Sequence, residues 1–229
     1  MNDRAISIPS TDAELFPWVQ ANLFVALLSD TLDAMGYRDQ ALPARIRPLD
    51  EALVMVGRAR TGLYRDVYEV PTGRNPYELE IRLIDDLKPG EIPVLACGHS
   101  GRIAPWGGLL TTASLARGAA GCLTDGCIRD VRTIRRLGFP VFHGGIAPLD
   151  SKGRGEVVEI DCPVSCGGVM VHSGDLVVGD ADGVIVVPRR AEREALGRAF
   201  EKLAGEHDTE AALQKGETLA SVFARLGVL

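Results

Sequence analysis

The stretch LLTTASLARGAAGCLTDGCIRDVRTIRRLGFPVFH, residues 109–143, decides the fold because helical and strand-like segments alternate along it. The patterns over 109–117 and 131–137 are helical, whereas those over 119–124 and 141–143 are typical of short buried strands. This succession predicts an α/β protein with a parallel or mixed sheet and helices packed on it.

On the N-terminal side, residues 11–36 have a largely helical pattern, with apolar residues at three- and four-residue spacing and Gly36 as the stop. Residues 52–59 form an apolar run that suits a buried strand. A short helix is predicted over 77–87 and another strand over 92–97.

Beyond Gly144 the pattern changes to strands separated by glycine turns. Asp182-Gly183 between two apolar runs indicates a hairpin, and amphipathic helices are predicted over 191–203 and 217–226. The strands are predicted at 157–160, 169–172, 176–179 and 184–187.

The composition predicts one domain over residues 1–229, with its core at about 50–190 and C-terminal helices at about 191–227. Of the 229 residues 46% are hydrophobic, and the net charge of -6 disfavours nucleic acid as the main partner. Because no run of about 18 apolar residues exists, no membrane partner is expected. With no apolar signal core near the start, and five scattered cysteines that read as reduced thiols, we expect a cytoplasmic protein.

The motif WGGLLTT at 106–112 places two glycines, Gly107 and Gly108, at the start of a predicted helix. Glycine allows close approach of a ligand to the backbone, and free N–H groups at a helix start attract anions. A carboxylate is therefore predicted to bind the amides of Leu109 and Leu110. The alternative is an ordinary glycine turn with a threonine cap.

The motif DGCIRD at 125–130 follows a predicted strand and precedes a helix, at the strand end where α/β sheets place ligands. Arg129 offers a fork for a carboxylate or an oxyanion. Asp130 is a hard oxygen ligand of the kind that binds Mg²⁺ together with water. The alternatives are a surface ion pair and a simple cap of the helix over 131–137.

His99 follows a predicted strand and His143 ends one. Both are weaker candidates for pocket residues, with a loop histidine as the favoured alternative for His99. A lysine at a strand end could form an imine with a carbonyl substrate. The lysines all lie in turn-like or charged settings, so that route is disfavoured; they are Lys88, Lys152, Lys202 and Lys215.

Residues 84–189 resemble the RraA-like family, which contains a regulator of ribonuclease activity and metal-dependent 4-hydroxy-4-methyl-2-oxoglutarate / 4-carboxy-4-hydroxy-2-oxoadipate aldolases. The resemblance implies a β/β/α fold like a swivelling phosphohistidine domain, assembled as a ring-shaped trimer or a pair of trimers. The matching motifs are WGGLL (106–110), RGAAG (117–121), TDGCIRD (124–130), GFPVF (138–142), PV (163–164), GG (167–168), Val171, GDLVVGDADGV (174–184) and Pro188.

The resemblance also implies a class II aldolase or oxaloacetate decarboxylase that releases pyruvate from a 2-oxo acid. Asp130 would hold Mg²⁺ or Mn²⁺ largely through water, and Arg129 would contact the 2-oxo acid. The amides of Leu109 and Leu110, after the Gly107 turn, would take the pyruvate carboxylate. A glutamate from a neighbouring subunit's C-terminal part reaches the site in such aldolases, and its counterpart here is not identified.

One departure concerns Gly108, where the aldolases that the chain resembles have an acidic residue that helps to hold waters and protons. Its absence leaves the source of the proton open. The ribonuclease regulator lacks the aspartate of the pair, so Asp130 favours a metal site. The alternatives are a non-catalytic regulator of a ribonuclease or other partner, and a same-fold enzyme acting on a different hydroxy or oxo acid.

Overall fold

The computed structural model of the chain describes residues 8–70, 72–98 and 100–227. Its helices alternate with strands through the middle of the chain and cluster at both ends. They are α1 (Asp12–Asn22), α2 (Val25–Ala34), α3 (Glu78–Asp85), α4 (Gly108–Ala116), α5 (Val131–Leu137), α6 (Glu192–Gln214) and α7 (Leu219–Leu226).

The strands form one large sheet and two small ones. They are β1 (Arg47–Pro48), β2 (Met55–Asp66), β3 (Glu91–Ala96), β4 (Cys122–Thr124), β5 (Cys127–Ile128), β6 (Val141–His143), β7 (Gly145–Ile146), β8 (Gly155–Ile160), β9 (Val164–Cys166), β10 (Val169–Val171), β11 (Leu176–Asp180) and β12 (Gly183–Val187).

The large sheet has the order β1-β6-β4-β3-β2-β11-β12, with β8 also paired to β2. Strands β2, β3, β4 and β6 are parallel neighbours, and α3, α4 and α5 connect them in turn. This arrangement confirms the predicted α/β class, because parallel neighbours need crossover connections. The carboxyl ends of β3 and β4 therefore meet at one edge of the sheet, where β5 begins.

Three apolar clusters hold these layers together. One packs α3 and α5 on the sheet through buried residues such as Leu83 and Ile134. Another packs α1, α2 and α6 against β11 and β12, and the third lies between the sheet and the β9–β10 hairpin. At about 25 cal/mol per Å² of buried apolar surface, these contacts are the main stabilising term.

The predicted helix over 11–36 is wrong as a single element, because the chain bends by 101° between α1 and α2. Leu23 and Phe24 are extended at the break, and the N–H of Val25 donates to the Asp180 carboxylate at 2.8 Å. This bond lets α2 turn onto β11 and β12. Among the described residues no single helix is long and apolar enough to cross a membrane, and only the bent pair α1–α2 meets that test jointly.

Arg58 of β2 connects the sheet to the first helix, α1, and to the start of the long C-terminal helix, α6. Its guanidinium pairs with Asp12 of α1 and with Glu192 of α6, where Nη2 lies 3.1 Å from Oε1. The Glu192 side chain is buried, so removing Arg58 would leave its charge in the interior with the more exposed Arg189, at 3.6 Å, as the remaining partner.

Other predicted boundaries need smaller corrections. The strand predicted over 52–59 begins at Met55 and extends to Asp66, because β11 and β8 pair with successive halves of β2. Helix α6 continues to Gln214 rather than ending at 203, through a segment rich in helix-forming Glu, Ala and Leu. The hairpin is confirmed, with Asp180 paired to Gly183.

Candidate functional site

A cavity of about 320 Å³ opens beside the starts of α4 and α5. Strand β5 and an isolated bridge from Trp106 to Ile128 bring the two glycine-containing motifs together there. The walls contain most of the sequence-predicted site residues, together with residues that the sequence did not single out. They are Tyr77, Glu80, Ile81, Ala104, Pro105, Trp106, Gly107, Leu109, Leu110, Arg129, Asp130, Asp150 and Ser151.

Asp130 directs its carboxylate across the cavity edge to the start of α4. Its Oδ2 accepts the N–H of Gly108 at 3.0 Å. Its side chain makes no cap bond to α5, where only the backbone carbonyl accepts the N–H groups of Thr133 and Ile134. The alternative that Asp130 is simply the side-chain cap of that helix is therefore wrong. A left-handed φ of 59°, tolerated by aspartate, sets this orientation.

Gly107 lets the two motifs approach each other closely. A Cβ at this position would lie 2.8 Å from Oδ2 of Asp130 and 3.2 Å from Cγ of Arg129. A Cβ at Gly108 would lie 3.1 Å from Cγ2 of Thr133 and 3.5 Å from Cβ of Asp130. A side chain at position 107 would therefore displace Asp130 or Arg129, whereas one at position 108 would lie beside the Asp130 side chain.

The first turn of α4 offers two backbone donors to a ligand. The N–H of Gly108 is taken by Asp130, and that of Thr111 donates to the carbonyl of Gly107 at 3.0 Å. Within the described ranges no backbone or side-chain acceptor pairs with the N–H groups of Leu109 and Leu110, as expected for a first helical turn. The Leu109 side chain is exposed.

Arg129 is held at the cavity by backbone and side-chain contacts. Its N–H donates to the carbonyl of Trp106 at 2.9 Å. In the guanidinium, Nη1 donates to the carbonyl of Leu149 at 3.1 Å and Nη2 lies 3.6 Å from Oδ1 of Asp150. The side chain is 40% exposed, so its remaining donors are open to a ligand.

Three titratable residues of the cavity were not predicted from the sequence: Tyr77, Glu80 and Asp150. The Tyr77 hydroxyl donates to the Asp150 carboxylate at 3.1 Å. Glu80 is only 8% exposed, and burial raises its pKa to about 7. Glu80 could have been predicted, because its spacing from Leu83 and Ile84 places this acidic residue on the apolar face of the predicted helix. Asp150 lies in an irregular loop, which gave no signal.

The other candidates contribute less to this cavity. His143 is buried at the end of β6 and is absent from the cavity walls, and burial lowers its pKa. His99 lies outside the described residues. The five cysteines are free thiols, in agreement with the prediction. In the described part of the chain no group of three or more His, Cys, Asp or Glu side chains is arranged around a metal position.

Comparison with known proteins gives consistent matches. A family model described as Aldolase/RraA matches residues 25–186. A Halalkalibacterium halodurans protein, provisionally named 4-hydroxy-4-methyl-2-oxoglutarate aldolase, is 36% identical over 186 residues, covering 81% of this chain and 82% of that protein.

Solved structures extend the match to the fold. A crystal structure described as novel cellulases from gut-associated microbes has a TM-score of 0.81 at 28% identity, covering 89% of this chain and 90% of its own. Streptomyces coelicolor RraAS2, described as an unusual member of the RNase ES inhibitor RraA family, has a TM-score of 0.77 at 28% identity, covering 88% and 98%. These matches confirm the predicted β/β/α fold class.

Proposed function

The chain belongs to the RraA-like family, and from this premise we propose that it is a divalent-metal-dependent lyase. It cleaves a 2-oxo-4-hydroxy acid by a retro-aldol reaction that releases pyruvate, or decarboxylates oxaloacetate. One observation carries the proposal: Arg129, Asp130 and the free amides of Leu109 and Leu110 line the same cavity. The aldolase name of the Halalkalibacterium relative supports the same reaction class.

The residues present fit a largely hydrated divalent cation. Oδ2 of Asp130 is occupied by the Gly108 N–H, whereas Oδ1 has no hydrogen bond or ion pair to any residue that the structure describes. Mg²⁺ and Mn²⁺ prefer such carboxylate oxygens and keep most of their waters. When bound, the cation supplies Lewis-acid stabilisation of the negative charge that develops on the 2-oxo group.

The chain's own groups bind and orient the substrate. The N–H groups of Leu109 and Leu110 donate to the substrate carboxylate at the positive end of α4. The guanidinium of Arg129 stabilises the oxyanion that forms as the carbon–carbon bond breaks. Gly107 permits the close approach of both motifs, and Gly108 positions Asp130 through its N–H.

We propose that the single domain assembles as a ring-shaped trimer or a pair of trimers, as the family resemblance implies. The proposed substrate is a small 2-oxo acid, and neither nucleic acid nor a membrane is proposed as a partner. Sedimentation of the purified chain measures the number of subunits directly.

Pyruvate release tests the function. We expect the purified chain to form pyruvate from 4-hydroxy-4-methyl-2-oxoglutarate or oxaloacetate when Mg²⁺ or Mn²⁺ is present. A chelator is expected to remove the activity and added cation to restore it. The reason is that one carboxylate, Asp130, holds a largely hydrated cation only weakly. A folded chain that releases no pyruvate from either substrate would contradict the proposal and favour the regulator alternative.

A further inference from the structure

Helix α3 forms the cavity wall that holds Glu80, together with Tyr77 and Ile81. The residue is 8% exposed although its side chain is acidic, and its helical register with Leu83 and Ile84 turns it toward the interior. Acidic side chains are almost never so buried without a partner or a function.

The charges around Glu80 leave it without a matching cation. Among the described residues, no Lys, Arg or His nitrogen lies within 4.0 Å of its carboxylate. Its pKa is raised to about 7, chiefly by burial and also by the Asp150 charge. The Tyr64 hydroxyl from β2 and the more distant Arg129 act in the opposite direction. Near neutral pH, Glu80 therefore exchanges a proton readily.

The other two carboxylates of the cavity are already engaged. Asp150 accepts the hydroxyl of Tyr77 and lies 3.6 Å from Nη2 of Arg129. Asp130 accepts the N–H of Gly108 and is the proposed cation ligand. Glu80 lines the same cavity with only the Tyr64 hydroxyl, among the described side chains, acting on it as a hydrogen-bond partner, and its pKa lies near neutrality, so it is the cavity carboxyl best tuned to move a proton.

We propose that Glu80 is the proton carrier of this site, an inference that rests on the proposed lyase function. As a carboxylate it accepts the proton of the substrate's C4 hydroxyl. The C3–C4 bond breaks while the C4 oxygen becomes a carbonyl, and the bonding pair moves into the enolate of pyruvate. Glu80 then returns the same proton to C3, which completes pyruvate and restores the carboxylate.

This assignment accounts for the glycine at position 108. The acidic residue that the resembling aldolases have there would lie next to Asp130 on α4. Here the acid lies on α3, which lines the same cavity, and it supplies the proton transfer from a different element. The presence of glycine instead of an acidic residue at position 108 is therefore compatible with the proposed reaction.

Glu80→Gln tests the assignment, because it keeps the shape and removes the ionisable group. We expect kcat/KM for pyruvate release at pH 8 to fall about 100-fold. In the wild type, kcat/KM should rise with pH through about 7, since the carboxylate is the active base, and this rise should be lost in the variant. Glu78→Gln, on the exposed face of α3, is the matched control and should behave as wild type.

Exchange of the pyruvate methyl protons in D₂O with Mg²⁺ separates this inference from the substrate proposal. Wild-type exchange that is lost in Glu80→Gln supports Glu80 even if no hydroxy acid is cleaved. Unchanged exchange and an unchanged pH profile in the variant overturn the inference and leave the lyase function standing. A wild type that neither exchanges nor cleaves overturns both. Glu80→Asp retains the carboxyl and should keep the rise of kcat/KM with pH. If the glutamine variant does not fold, this pH profile is the test of the inference.

Gly108→Asp provides a second, independent test. In the Glu80→Gln background we expect a recovery of about 10-fold, because a second acid then replaces the lost one. Thr133 must shift by a few tenths of an ångström to admit the new side chain. Gly108→Asn controls for that shift. A large gain in the wild-type background would contradict the inference, since it would show that the proton was not supplied.

Discussion

Replacing Asp130 with asparagine is expected to lower metal-stimulated pyruvate release by about 10³-fold, or about 4 kcal/mol of transition-state stabilisation. The variant keeps an oxygen that accepts the Gly108 N–H, and asparagine tolerates the left-handed backbone at φ 59°. The loss therefore reports the missing charge rather than a misfolded loop. Alanine would add the cost of the lost bond and of its strained backbone.

Two measurements complete this test. Titration with Mn²⁺ should show weaker binding to Asp130→Asn, which separates lost cation affinity from lost turnover. Asp161→Asn is the matched control, because Asp161 is the other non-glycine residue described with a positive φ, 58°, and lies outside the cavity. An Asp130→Asn variant with full activity and unchanged Mn²⁺ affinity would rule out the metal role.

The sequence predicts the parallel half of the sheet well, because strand and helix periods alternate there without ambiguity. The family resemblance also assigns the motifs at 106–112 and 125–130 to one site, and both line one cavity in the structure. The structure adds the specific contact between them, from Gly108 to Asp130. That contact depends on a left-handed backbone at Asp130, which local patterns do not reveal.

The break between α1 and α2 shows where local patterns are insufficient. Leu23 and Phe24 suit a helix by periodicity, and a carboxylate some 155 residues away, Asp180, holds the start of α2 instead. Long-range partners also decide the site: Asp150 reaches the cavity from an irregular loop. Glu80 differs from Asp150. The sequence shows that Glu80 lies on the apolar face of α3, but it does not show which cavity that face lines.

Replacing Arg129 with lysine is expected to lower kcat/KM by about 100-fold, mainly through a higher KM. A guanidinium donates to two oxygens at once, whereas an ammonium is a point charge. The Leu149 carbonyl and the Asp150 carboxylate hold the arginine fork in place, and a lysine would be drawn to Asp150 alone. Arg136→Lys, exposed on α5, is the matched control. An unchanged KM would contradict the substrate-binding role.

The same residue links substrate binding to proton transfer. The positive charge of Arg129 lowers the pKa of Glu80. Arg129→Lys keeps a charge, so the rise of kcat/KM should stay near pH 7. In Arg129→Gln the charge is gone, the pKa of Glu80 rises, and the pH-dependent rise should move to higher pH. The two variants share the loss of the fork and differ in charge, so a shift in both would contradict an electrostatic link between Arg129 and Glu80.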